Sequence, residues 1–254
     1  MGRAVDQLSG AADTTTPAVK DNEDVTDTVL AESECLPSPA SRPQLVIFDL
    51  DGTLTDSADG IVSSFRHALR QVGAAVPDGD LAGWIVGPPM HHTLASMGLG
   101  EHTETAIAAY RADYSTRGWA MNRVFDGMEP LLADLRAADV RLAVATSKAE
   151  PTAQRILARF GLDEHFEVVA GASVDGSRSS KTDVLAHALA QLQPLPECVV
   201  MVGDRWHDVE GAAAHGIDTV VVGWGYGQAD FAGHSAPTVT HVATVAELRR
   251  ALGV

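Results

Sequence analysis

Five stretches of the chain are near-continuous apolar runs of strand length whose ends turn polar, acidic or small: LVIFDLD (45–51), RLAVATS (141–147), FEVVAGA (166–172), CVVMVGD (198–204) and TVVVGWG (219–225). Such runs predict parallel strands buried on both faces. Between them, apolar positions recur with helical period in MEPLLADLRAAD (128–139), PTAQRILARFG (151–161), KTDVLAHALAQL (181–192) and WHDVEGAAAHG (206–216). Gly161 and Gly216 stand where helix C-caps belong. TVAELRRAL (244–252) predicts a closing amphipathic helix, with Arg249 and Arg250 solvated. Alternation of this kind predicts an α/β fold with a doubly wound parallel sheet, in which ligands bind beyond the carboxyl ends of the strands.

One section interrupts the alternation. Residues 57–125 show only helical periodicity, in ADGIVSSFRHALRQVG, LAGWIVG, HHTLASMG and ETAIAAYRADYSTRG. This predicts a small helical cap inserted after the first strand, joined near Asp56–Ser57 and Phe125–Gly127. Residues 44–56 and 126–254 then form the core. A cap over strand ends excludes water and selects what enters. Residues 1–43 differ from both: they hold no Phe, Trp or Tyr, eight acids against three bases, and runs such as TTTP and LPSPASRP. That composition predicts a disordered acidic arm, which cannot bury enough apolar surface to offset an ordering entropy of ~1–2 kcal/mol per residue.

Composition narrows the partners. The 254 residues carry 18 Lys+Arg against 34 Asp+Glu, a formal net charge of −16. This argues against nucleic acid or an anionic membrane surface as a partner. No apolar run approaches the ~18–20 residues that span a bilayer, and MGRAVDQLSG lacks the apolar centre of a secretory signal. Cys35 and Cys198 have neither metal nor disulfide spacing. The expectation is a cytoplasmic protein.

The chemistry gathers at the strand ends. The first gives Asp49, Asp51 and Thr53 in DLDGTLTDS. Residues two apart in an extended chain point the same way, so the two carboxylates are expected to crowd one spot. At ~4 Å two like charges repel by roughly 4 kcal/mol at an effective dielectric of ~20, and a divalent cation is the natural compensation. The second end gives Thr146, Ser147 and Lys148, whose hydroxyls and backbone N–H groups suit phosphate oxygens. Lys181 opens a helix after the polar loop DGSRSS. The fourth end gives Asp204 and Asp208 in GDRWHD. All-oxygen ligation suits Mg²⁺ better than zinc. Singly these are helix caps, turn residues or surface lysines; their joint order predicts one phosphoryl-transfer site.

In that order, DLDGT, Thr146, Lys181 and GDRWHD resemble the four motifs of the haloacid dehalogenase superfamily, over residues 44–254, and the position of the cap resembles its phosphoglycolate-phosphatase-like branch. The resemblance implies a Rossmann-like core. It implies Asp49 as nucleophile, Asp51 as general acid/base, and Thr146 and Lys181 on the transferring phosphoryl group. It further implies Mg²⁺ held by Asp49, the Asp51 carbonyl, Asp204 and, directly or through water, Asp208. Ser147 stands where Asn is common and Thr182 where Pro is common. The motifs leave the acceptor open: water gives a phosphatase of phosphoglycolate or sugar-phosphate type, a hydroxyl gives a transferase.

Tyr110 and Tyr114 share a face of a predicted cap helix, where packing is the simpler reading. Tyr226, in GWGYGQ, lies on a glycine-flanked loop that could expose its hydroxyl near the strand ends or be a packed turn. No GxxxxGK[ST] loop, HRD or DFG is present, so an ATP-using activity has to run through Asp49. The combination of core, acidic arm, Asp49, Lys148, Lys181 and WGYG is similar to a protein tyrosine kinase built on this scaffold. That likeness implies ATP as donor, with Lys148 on its phosphates, autophosphorylation at Tyr226, and a low-molecular-weight protein tyrosine phosphatase as partner and substrate.

Overall fold

The computed structural model describes residues 42–232 and 239–254. The predicted acidic arm, Arg42 and Pro43 apart, lies outside them. Six parallel strands form one sheet in the order β5-β4-β1-β6-β7-β8: β1 (Leu45–Phe48), β4 (Arg141–Ala149), β5 (Val168–Ala172), β6 (Val199–Gly203), β7 (Asp218–Val222) and β8 (Val239–Val242). The edge strand β8 is not among the five apolar runs: VTHV is short, polar at its centre and only partly buried. β2 (Thr55–Asp56) and β3 (Arg123–Val124) pair as a two-residue antiparallel ribbon.

Alternation along β1 divides the core. Val46 and Phe48 face one apolar cluster, with helices α5 (Met128–Ala137), α6 (Glu150–Arg159) and α9 (Val245–Ala251). Leu45 and Ile47 face another, with α7 (Lys181–Gln191) and α8 (Trp206–Ala213). Every β1 side chain is fully buried, each contributing ~1.5–3 kcal/mol of transfer free energy. Gly161 and Gly216 end α6 and α8 with φ of 67° and 68°, as their positions predict. Since β1 lies between β4 and β6, the chain diverges to opposite sides beyond its carboxyl end, and a crevice opens there.

Between β2 and β3 run α1 (Ala58–Gln71), α2 (Ala82–Ile85), α3 (Met90–Ser96) and α4 (Thr103–Thr116). They share a third apolar cluster centred on Phe65, Leu69, Ile85 and Leu94. No helix among the described residues is long and apolar enough to cross a membrane.

Candidate active site

β1 leaves the ladder after Phe48, and Asp49 is the first residue beyond it, its N–H donating to Val202 O at 2.8 Å. Three carboxylates converge here: oxygens of Asp49, Asp204 and Asp208 lie within 4.8 Å of one another, all buried. Asp208, in the first turn of α8, accepts from the N–H groups of Asp204 (3.1 Å) and Arg205 (3.0 Å), which fixes the turn between β6 and α8. Gly52 has φ +84°, and a Cβ there would stand 2.3 Å from Asp204 Oδ2. At Gly225 the same distance would be 2.2 Å. Both glycines are required for backbone to close around this carboxylate.

One cation lies among the three acids. Lys181 opens α7, whose N-terminus is capped by Ser180 Oγ accepting from Asp183 N–H. Its Nζ lies 2.8 Å from Asp49 Oδ1 and 2.7 Å from Asp208 Oδ1, and donates to Ala145 O at 2.9 Å, so all three ammonium protons have a nearby acceptor. Burial works against its charge, but Asp208 and Asp49 outweigh it and raise the lysine pKa above the ordinary value. The acids remain under-compensated. Burial, then Asp208 and Asp49, push Asp204 well above its ordinary value, and burial raises Asp208 against the pull of Lys181. Asp204 Oδ1 is buried without a hydrogen-bond partner. Three carboxylates, one lysine and an orphaned oxygen fit a hard divalent cation ligated by oxygen.

Asp51 does not join this cluster. β1 ends at Phe48, before either aspartate, and the carboxylates that converge are those of Asp49, Asp204 and Asp208. Asp51 Oδ2 pairs with Lys148 Nζ at 2.7 Å, while its Oδ1 is buried and unpartnered. Its side chain therefore stands outside the carboxylate set expected to hold metal. Lys148 sits where the β4–β5 register shifts between Thr146 and Ala149, an irregularity that swings Ser147 and Lys148 off the ladder. Thr146 is buried at the same end, its Oγ1 accepting from Lys148 N–H at 3.3 Å. The Thr53 hydroxyl is fully buried and has no partner.

Lys148 Nζ also donates to the Tyr114 hydroxyl at 2.9 Å and lies 4.7 Å from that ring's centroid. Burial opposes the ammonium charge, yet Asp51 and then the Tyr114 and Tyr110 hydroxyls raise its pKa. Packing alone therefore does not describe Tyr114. Tyr110 stacks on it at 5.6 Å with 12° between the rings. Both line a cavity of about 380 Å³, together with Asp51, Ser147, Lys148, Ile85, Ile107 and Met90.

The Tyr226 side chain is half-buried and its hydroxyl is engaged. It donates to Asp56 Oδ1 at 2.6 Å and accepts from the N–H groups of Ser57 (3.0 Å) and Ala58 (3.2 Å), at the entry to α1. Its backbone N–H donates to Asp204 Oδ2 at 2.6 Å. Burial and the neighbouring Asp56 carboxylate raise the phenol pKa above its ordinary value. Beside it Arg205 donates to the carbonyls of Gly83 and Val86 and pairs with Asp230 at 2.9 Å. Sequence reading missed these contacts of Tyr114, Arg205 and Asp56, because each joins segments far apart in the chain. Only Asp56, an acid four residues after the DLDGT glycine, carried a local hint.

Comparison with known proteins gives concordant matches. The family described as haloacid dehalogenase-like hydrolase matches residues 46–222. A tyrosine-protein kinase, PtkA, of Mycobacterium tuberculosis is 70% identical over 247 residues, covering 93% of this chain and 85% of the kinase. A solved structure of the M. tuberculosis protein tyrosine kinase A superimposes with a TM-score of 0.77 at 76% identity, over 84% of this chain and 100% of that one. A 5'-nucleotidase of Pseudomonas aeruginosa is 36% identical over 215 residues, 84% of this chain and 97% of the nucleotidase.

Proposed function

The chain belongs to the haloacid dehalogenase-like hydrolase family, and we propose that it is an Mg²⁺-dependent phosphotransferase that works through an aspartyl phosphate at Asp49 and passes the phosphoryl group to tyrosine. The observation that carries the chemistry is the convergence of Asp49 with Lys181, Asp204 and Asp208 at the end of β1. The identity of the acceptor rests on the 70% likeness to a protein named a tyrosine kinase.

Asp49 attacks phosphorus in line and displaces the leaving oxygen. Lys181 stabilises charge on the equatorial oxygens, and the hydroxyls and N–H groups of Thr146 and Ser147 orient them. Asp51 gives a proton to a basic leaving oxygen and then takes one from the acceptor hydroxyl. Asp49, Asp204, Asp208 and the Asp51 carbonyl would hold Mg²⁺, which supplies charge neutralisation when bound. ATP is the donor in this reading. Lys148, engaged with Asp51 and Tyr114, would have to release one of them to touch its phosphates. The helices between β2 and β3 act as a cap over the strand ends. The partner is a low-molecular-weight protein tyrosine phosphatase, and the compartment the cytoplasm.

A second reading, a small-molecule phosphatase with water as acceptor, is favoured by one observation. The Tyr226 hydroxyl proposed for autophosphorylation is spent on Asp56, Ser57 and Ala58, and must leave them before it can accept. The likeness to a 5'-nucleotidase supports the same reading. One assay separates the two: incubate the full chain with γ-labelled ATP, Mg²⁺ and the phosphatase partner, and measure inorganic phosphate and phosphotyrosine together. The kinase reading expects label on Tyr226 and on a partner tyrosine. Rapid phosphate release without phosphotyrosine would replace it with the hydrolase.

A further inference from the structure

We propose that Tyr114, on the helical segment between β2 and β3, is a positioning residue that holds the Asp51 carboxyl in place through Lys148. The proposal rests on the reading of Asp51 as the general acid/base. Three geometric facts carry it. First, Lys148 Nζ bridges Asp51 Oδ2 at 2.7 Å and the Tyr114 hydroxyl at 2.9 Å. Second, the ammonium lies 4.7 Å from the Tyr114 ring centroid, so the ring and its hydroxyl both restrain a side chain that otherwise rotates about four bonds. Third, Tyr114 is itself fixed, buried in the apolar cluster of α1 and α4 and stacked on Tyr110.

Lys148 emerges from the irregular end of β4, where the broken register gives its side chain no ladder neighbour to orient it. Without Tyr114 the lysine keeps its charge attraction to Asp51 but loses the group that sets its direction. The pairing also divides labour between the two Asp51 oxygens. Oδ2 accepts from Lys148, and the buried, unpartnered Oδ1 is left for proton exchange: in this proposal it is protonated when the ester enters, gives that proton to the leaving oxygen and takes one back from the acceptor hydroxyl. All of these groups border the 380 Å³ cavity. The positioning contact joins the helical insertion to the core, since Tyr114 lies on α4 and Lys148 on β4.

The test compares two phosphomonoesters in the full-length protein with Mg²⁺. p-Nitrophenyl phosphate expels a stable anion and needs no acid, whereas an alkyl phosphate expels an alkoxide that must be protonated. The readout is the ratio of kcat for alkyl to kcat for aryl ester. Tyr114→Phe keeps the ring and its stacking and removes only the hydroxyl, and should lower that ratio about tenfold. In a Lys148→Met background, Tyr114→Phe should lower it no further, since the tyrosine acts through the lysine. A ratio equal to the wild type in Tyr114→Phe, or an additional independent loss in the double variant, overturns the proposal. Asp51→Asn keeps the two failures apart. If it lowers the ratio steeply while Tyr114→Phe does not, the positioning role alone falls; if it leaves the ratio unchanged, the acid/base reading of Asp51 falls with it.

Discussion

Asp49 and Asp51 lie two residues apart, and each is buried beside a lysine, yet they are held in opposite ways. Asp49 belongs to a cluster supplied wholly by the sheet and its own helices: Lys181 from α7, Asp204 from the end of β6 and Asp208 from α8. Asp51 meets Lys148 from the broken end of β4, and that lysine is in turn held by Tyr114 from the helical insertion. The first arrangement is buried and overcrowded with negative charge. The second sets one carboxyl group against one lysine and depends on a segment connected to the core through a two-residue ribbon. Chemistry common to any substrate would fall to the first, and steps that depend on what has entered would fall to the second.

The largest expected effect breaks the first half outright. Asp49→Asn should lower turnover by ~10³-fold or more, with any ester and any acceptor, because the nucleophile itself is gone. Steady-state kinetics with aryl and alkyl phosphates would check this; a loss confined to the alkyl ester would mean that the two aspartates had been assigned the wrong way round.

Removing the lysines compares the two regions energetically. Lys181→Met leaves three crowded carboxylates without a cation, and should cost ~3–5 kcal/mol in urea denaturation. Lys148→Met leaves a single buried carboxylate and should cost less. Equal losses would contradict the distinction. Divalent metal provides the next contrast. Mg²⁺ at a hundredfold its dissociation constant should stabilise the wild type by ~2.7 kcal/mol, and chelation should remove that gain. Asp204→Asn should abolish the gain, whereas Asp51→Asn, whose side chain lies outside the cluster, should retain most of it.

The smallest effect concerns the neck. Tyr226→Phe removes the hydroxyl shared by Asp56, Ser57 and Ala58 and should cost ~1 kcal/mol. Burial pushes the Asp56 carboxyl up, but hydrogen bonds from Tyr226, Arg123 and the Ala58 N–H outweigh it and hold the pKa below its ordinary value. Its contribution is therefore present above the ordinary carboxylate pKa and is lost as pH falls through the depressed folded value. Wild-type stability should decline more steeply on acidification than that of Tyr226→Phe, and parallel declines would show that the bond does not matter.

The same division explains what could be read from sequence. The convergence of Asp49, Lys181, Asp204 and Asp208 was legible because each lies at or beside an end of a strongly patterned element, and the alternation of those elements places their ends side by side. The positions of Asp51, Tyr114, Arg205 and the Tyr226 hydroxyl were not. Period-two reasoning carried the first strand through Asp51, whereas the ladder stops at Phe48 although Leu50 stays buried. The contacts of Tyr114 with Lys148 and of Tyr226 with Asp56 join positions 34 and 170 residues apart, a separation to which local periodicity is blind. β8 escaped for a simpler reason: an edge strand with Thr240 and His241 at its centre has no apolar run to announce it.

The central claim is that Asp49 carries the phosphoryl group. The direct measurement is to mix the full-length protein with phosphoryl donor and Mg²⁺, quench, trap acyl phosphate with hydroxylamine, and map the adduct by mass spectrometry. The account predicts a hydroxamate at residue 49 in the wild type and none in Asp49→Asn, with phosphotyrosine lost alongside it. Phosphotyrosine that persists undiminished in Asp49→Asn, with no adduct at residue 49 of the wild type, would contradict it.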